Sequence, residues 1–166
     1  MSVDPAILKP GRCILYRPSP PPWDWVLGAI ISLKTWSWTS HIEVIASATT
    51  SVAARAEGVN EYPIRNDAYV CGVLEPTQPF DLVKAMAWFN AEARGDSYDV
   101  KGLFGFYLPQ DDMTEHAHYK SEFCSMLADL FYRAGGFSPF APRWPSQKIA
   151  PAQFWQSPLF NQIYPE

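Results

Sequence analysis

Sixteen prolines in a chain of 166 residues constrain the fold more than any other feature of this sequence. Proline lacks a backbone N–H and fixes φ, so it interrupts helix interiors and central strands. The chain is thereby cut into short elements joined by stiff connectors, of which RPSPPP at 17–22 is the clearest. A bundle of long helices is excluded, and the expected class is α+β. Ten Phe, eight Tyr and seven Trp, within 48% hydrophobic residues, are too many for a disordered chain and enough for one compact core. A single domain over 1–166 is the reading, with no internal repeat or low-complexity tract.

Charge removes one functional class. The formal net charge is -4, and the thirteen Lys and Arg are scattered with no basic run, so a phosphate-binding surface for nucleic acid is not expected. The most apolar stretch, Trp25 to Leu33, falls well short of the ~20 residues a membrane span requires. The N-terminus has no charged region followed by an apolar run and a cleavage site, so the expected location is cytoplasmic, with delivery to the envelope by other proteins left open. Cys13, Cys71 and Cys124 are odd in number and lack paired spacing. Neither a disulfide framework nor a zinc site is implied, at least one thiol stays free, and no cofactor is expected.

Local patterns predict the elements. LKPGRCILYR at 8–17 opens a first strand containing Cys13 after a Pro-Gly turn, and residues 23–34 suit a short helix. Runs of β-branched residues predict a hairpin with strands near 41–47 and 51–57, turning near Thr49. EYPIR and AYVCGVLEP extend the sheet around an Asn66-Asp67 turn, with Cys71 a buried strand residue. Helical spacing over 81–93 is stopped by Gly95, and a second helix runs from Ser121 to Arg133, closed by Gly135-Gly136. From Phe137 onward the chain is expected to wrap the surface, with one short helix near 152–156.

The chemistry gathers at KSEFCSMLADLFYRAGG. Ser121 is a natural N-cap, and Phe123, Met126, Leu127, Leu130 and Phe131 form the stripe that faces a core. Cys124 then stands at the third position of the first turn, where unpaired N–H groups and the helix dipole favour a thiolate and could hold an oxyanion. Taken alone, a single Cys is more often a small buried hydrophobe. His41 shifts that balance, because it opens a strand directly after Thr39-Ser40, and a base at a strand end facing a helix N-terminus is the arrangement of Cys–His catalysis. His116 and His118 lie in a polar segment with Glu115 and read as solvated, the HxH spacing being a weak metal pattern. A group that orients the imidazole has two candidates. Glu43 shares a strand face with His41, and Glu57 lies on the returning strand beside Arg55, which cannot accept an N–H.

In order, LKPGRCILYR, WSWTSHIEVIAS, ARAEGV, GDSYDVKGL and SEFCSML resemble the permuted branch of the NlpC-like (papain-like) cysteine amidase and peptidase superfamily. The resemblance covers most of the chain and rests on the SH-x-E-V pattern at His41 and the C-S-x-L pattern at Cys124. It implies a permuted papain-like fold in which the His strand precedes the Cys helix, with Cys124 as nucleophile and His41 as base. Tyr98 matches the Tyr of the G-x-x-Y segment that lines the family's site. At the third catalytic position ARAEG offers Arg55 and Glu57 without a clean match. The His motif and the WxWTS context also resemble phage and prophage proteins. The implied activity is cysteine-dependent hydrolysis of an amide, such as a cell-wall peptide, or of an acyl ester. The alternatives are a catalytically silent binding or structural module of a phage or secretion system, and a thiol enzyme similar to the lecithin:retinol acyltransferase type. Oligomeric state is not legible.

Overall fold

The run CILY is apolar at every position rather than at alternate ones, and its place in the molecule explains why. It forms β1 (Cys13–Tyr16), near the middle of a six-stranded sheet and buried along its whole length. The structure is a computed structural model that describes residues 2–18, 38–98, 121–141, 146 and 149–165. The sheet continues through β2 (His41–Ile45), β3 (Thr50–Arg55), β4 (Gly58–Pro63), β5 (Val70–Pro76) and β8 (Phe160–Tyr164). Its order is β4-β3-β2-β1-β5-β8, with every neighbouring pair antiparallel.

Helices pack on one face. Among the described residues they are α1 (Leu82–Trp88), α2 (Cys124–Ala134) and α3 (Pro151–Gln156). Cys13 and Leu15 point into this core with Ile42, Val44, Val52 and Leu74, against Phe89, Leu127, Phe131 and Phe154. Ile14 and Tyr16 point the other way, into a smaller cluster with Val3, Leu8, Ile45, Val70 and Val73. Two covered faces leave no polar position on a central strand. Burying Leu127 and Phe131 fully contributes roughly 1.5–3 kcal/mol each.

Several sequence expectations are corrected. The helix expected over 81–93 is α-helical only through Trp88, and Phe89–Ala93 form a π turn. Asp81 caps its start by accepting the Lys84 N–H at 2.9 Å, and Gly95 at φ +92 ends the segment. Ser121 does not cap α2. It lies in β7 (Ser121–Glu122), which pairs in parallel with β6 (Ser97–Tyr98), so the N-cap is Phe123 and Cys124 is the first helical residue. The hairpin strands end at Ile45 and Arg55, shorter than expected, because Ser47 turns the chain by accepting the Thr50 N–H at 3.1 Å. The tail forms α3 and then β8, which docks on β5, so it completes the sheet instead of wrapping the surface. The helix expected at 23–34 lies outside the described residues.

Candidate active site

β2 is anchored at its first residue. The Ser40 N–H donates to the Tyr16 carbonyl at 2.9 Å, and Tyr16 pairs directly with His41 across the β1–β2 ladder. Alternation then places His41 and Glu43 on the face opposite Ile42 and Val44. His41 Nε2 lies 3.0 Å from Glu43 Oε1. The carboxylate is almost wholly buried, and each of its oxygens has two partners. Oε1 also receives Arg55, through Nε at 2.9 Å and Nη2 at 2.8 Å. Oε2 accepts from the Ser51 hydroxyl at 2.6 Å and the Tyr16 hydroxyl at 3.4 Å. Three strands thus converge on one buried carboxylate.

Cys124 approaches from the helical side. The short β6–β7 pair sets the chain's entry into α2, and Cys124 is buried at its first position, where its charge acts on the imidazole. With Nε2 held by Glu43, Nδ1 is the ring nitrogen left for the sulfur. Helix geometry leaves the first backbone N–H groups of α2 without intrahelical acceptors, and Cys124 stands at that end of the helix.

The electrostatics follow from these contacts. Burial alone would lower the His41 pKa by disfavouring the cation. The charge and hydrogen bond of Cys124, then the hydrogen bond and charge of Glu43, outweigh it and raise the imidazole from 6.5 to about 9. Burial alone would raise Glu43. The hydrogen bond and charge of His41, the Arg55 guanidinium and the Ser51 hydroxyl overcome that and bring the carboxyl down to about 2.

Of the two candidates for the orienting group, the structure brings Glu43 to the ring and not Glu57. The β2–β3 register pairs Val44 with Val52, which continues to bring Arg55 level with His41. β3 ends there, and Glu57 sits exposed in the turn to β4. Tyr98 pairs through its backbone with Glu122, two residues ahead of Cys124. His116 and His118 lie outside the described residues. Cys13 is fully buried, and burial pushes its thiol up to about 12 despite a hydrogen bond with Tyr132. Cys71 is half-buried at a bulge in β5, where Leu15 pairs with Gly72 and Tyr16 with Val70, and burial raises its thiol also. Arg55, Ser51 and Tyr16 were not identified from sequence as ligands of Glu43. The signal that could have found them is the hairpin register, which places Ser51 and Arg55 on the Glu43 side of β3.

No family model and no curated protein matches the chain. Among the described residues no helix is long and apolar enough to cross a membrane. What the arrangement can do chemically is therefore read from its own geometry. A sulfur, an imidazole and a buried carboxylate lie together, with Nε2 of the ring on the carboxylate and the charge of the sulfur acting on the same ring.

Proposed function

We propose that this chain is a cysteine-dependent hydrolase of the permuted NlpC-like kind, acting on an amide, such as a peptide of the cell wall, or on an acyl ester. The observation that carries the reading is the Glu43–His41–Cys124 series at the N-terminus of α2, with Glu43 and Cys124 buried and His41 partly exposed. In this reading the Cys124 sulfur attacks the carbonyl carbon and a thioester forms as the C–N or C–O bond breaks. His41 gives its proton to the leaving group, then takes one from the water that hydrolyses the thioester, and Cys124 is restored. Glu43 keeps the ring in the tautomer this requires, the role a carboxylate plays in such triads. Backbone N–H groups at the start of α2 hold the oxyanion. The entry of α2 beside β6 supports a place for Tyr98 along the site.

A panel of peptide amides and acyl esters, with mass spectrometry for an acyl group on Cys124, tests the reading. Turnover with a Cys124-linked intermediate is expected. Cys124→Ala should remove both, and turnover that survives in Cys124→Ala would contradict the mechanism.

A further inference from the structure

One donor to Glu43 has no part in a simple Cys–His–Glu series. The Arg55 guanidinium places both Nε and Nη2 on Oε1, the same oxygen that His41 uses, and its Cζ lies over the Tyr62 ring, 4.4 Å from the centroid. The side chain is three-quarters buried. A buried, stacked arginine sharing one carboxylate oxygen with an imidazole is not a surface ion pair.

We propose that Arg55 is a positioning residue of this site: it fixes the Glu43 carboxylate and keeps it a charged acceptor while His41 passes its proton. The proposal rests on the hydrolase reading above. During turnover His41 alternates between imidazolium and imidazole. Whenever it is neutral, the buried carboxylate loses that counter-charge, and a buried carboxylate without one takes up a proton. A protonated Glu43 would donate to Nε2, which would then have to be an acceptor, and the ring's own proton would sit on Nδ1. Nδ1 is the nitrogen that has to receive the proton of Cys124, so the ring would be in the wrong tautomer. Arg55 stays protonated throughout, so the carboxylate keeps a positive partner at every step.

The other groups facing Glu43 do not replace it. Tyr16 from β1 and Ser51 from β3 are neutral hydroxyl donors, and Tyr62 from β4 is a neutral ring beneath Arg55. Arg65 lies over the Tyr16 ring and is paired with Asp67, while Cys124 acts on His41. Among the described residues Arg55 is the permanently charged donor to Glu43.

The test follows two signals in the full chain against pH, the side-chain carboxyl resonance of Glu43 and the rate of iodoacetamide labelling at Cys124. In the wild type Glu43 should remain ionised down to about 2. In Arg55→Gln its midpoint should rise by about one unit or more, and the acid limb of labelling should rise with it. Labelling above neutral pH, where the carboxyl is ionised in both proteins, should stay near the wild-type rate. Arg55→Lys keeps the charge but loses the two-atom contact and the stack, so it should show a smaller upward shift and serves as the test where Arg55→Gln does not fold. A Glu43 midpoint unchanged from wild type in the folded variant overturns the proposal. Failure of wild-type Cys124 to label would count against the hydrolase reading alone, since the carboxyl titration needs no nucleophile and still decides for or against Arg55.

Discussion

Three cysteines with three different surroundings separate structure from reactivity at the scale of the residue. Cys13 packs in the middle of the sheet with its thiol pushed up to about 12, and Cys71 sits half-buried with its thiol also raised. Among the described residues, Cys124 is the cysteine that an imidazole faces. Labelling near neutral pH should therefore modify Cys124 first and leave Cys13 unmodified, as peptide mapping will show. His41 supplies a pH prediction. Its pKa is raised, so the imidazolium persists above the ordinary 6.5 and is lost as pH rises through about 9. Turnover that needs this cation to protonate the leaving group should fall on an alkaline limb near there. Glu43→Gln removes one cause of the raised value, so the limb should move to lower pH, and a limb left in place would show that Glu43 does not act on the ring. The residues of this site were unevenly legible in the sequence. Cys124 and His41 each stand beside a boundary that composition marks. Glu43 and Glu57 could not be separated, because that choice depends on where β3 stops, and strand ends are set by partners distant in sequence.

At the scale of the element, α2 carries the site at one end and a close approach to α1 at the other. Its 11 residues span about 16 Å, so the two ends can be perturbed separately. A Cβ on Gly135 would stand 2.5 Å from a Phe80 ring carbon and 2.9 Å from the Asp81 carbonyl oxygen, where the cap of α1 meets the end of α2. Gly135→Ala should cost about 1–3 kcal/mol in urea denaturation, as overpacking does, with Cys124 labelling close to wild type. Loss of labelling in a folded Gly135→Ala protein would mean that the helix transmits strain along its length. The start of α2 shows why sequence erred by two residues in placing its cap. Ser121 has the chemistry of an N-cap, but its backbone is taken by the β6–β7 pair, and a tertiary strand contact overrides a local capping preference. The π turn after α1 has the same origin, since the apolar spacing that predicts a helix does not distinguish a single widened turn.

On the scale of the whole molecule, the two ends of the chain meet the same strands. β8 pairs with β5, next to β1, and brings Phe160 among Tyr132, Phe137 and Phe154 at ring separations of 5.5 to 5.7 Å. Because this aromatic cluster joins the tail to α2 and α3, it should unfold with the core. Phe160→Ala is expected to cost about 3 kcal/mol in the single urea transition of the full chain, and a negligible loss would mean that the tail is an independent appendage. The sheet and its helices were largely visible in the sequence as β-branched and helical spacing. β8 was not, because FNQIY is a short edge strand with exposed polar positions, and only its pairing partner identifies it as a strand. The proline-rich connectors set the overall class, but which strands neighbour one another is a long-range property that no local pattern encodes.

The central claim, that Cys124 and His41 form a working thiol–imidazole pair, is tested most directly by the pH dependence of iodoacetamide labelling. The modified cysteine is located by mass spectrometry in the wild type and in His41→Ala. Fast labelling of Cys124 near neutral pH that slows by about tenfold or more when the imidazole is removed is the predicted result. Equal and slow labelling of Cys124 in both proteins would contradict the account and leave a buried thiol at the start of a helix.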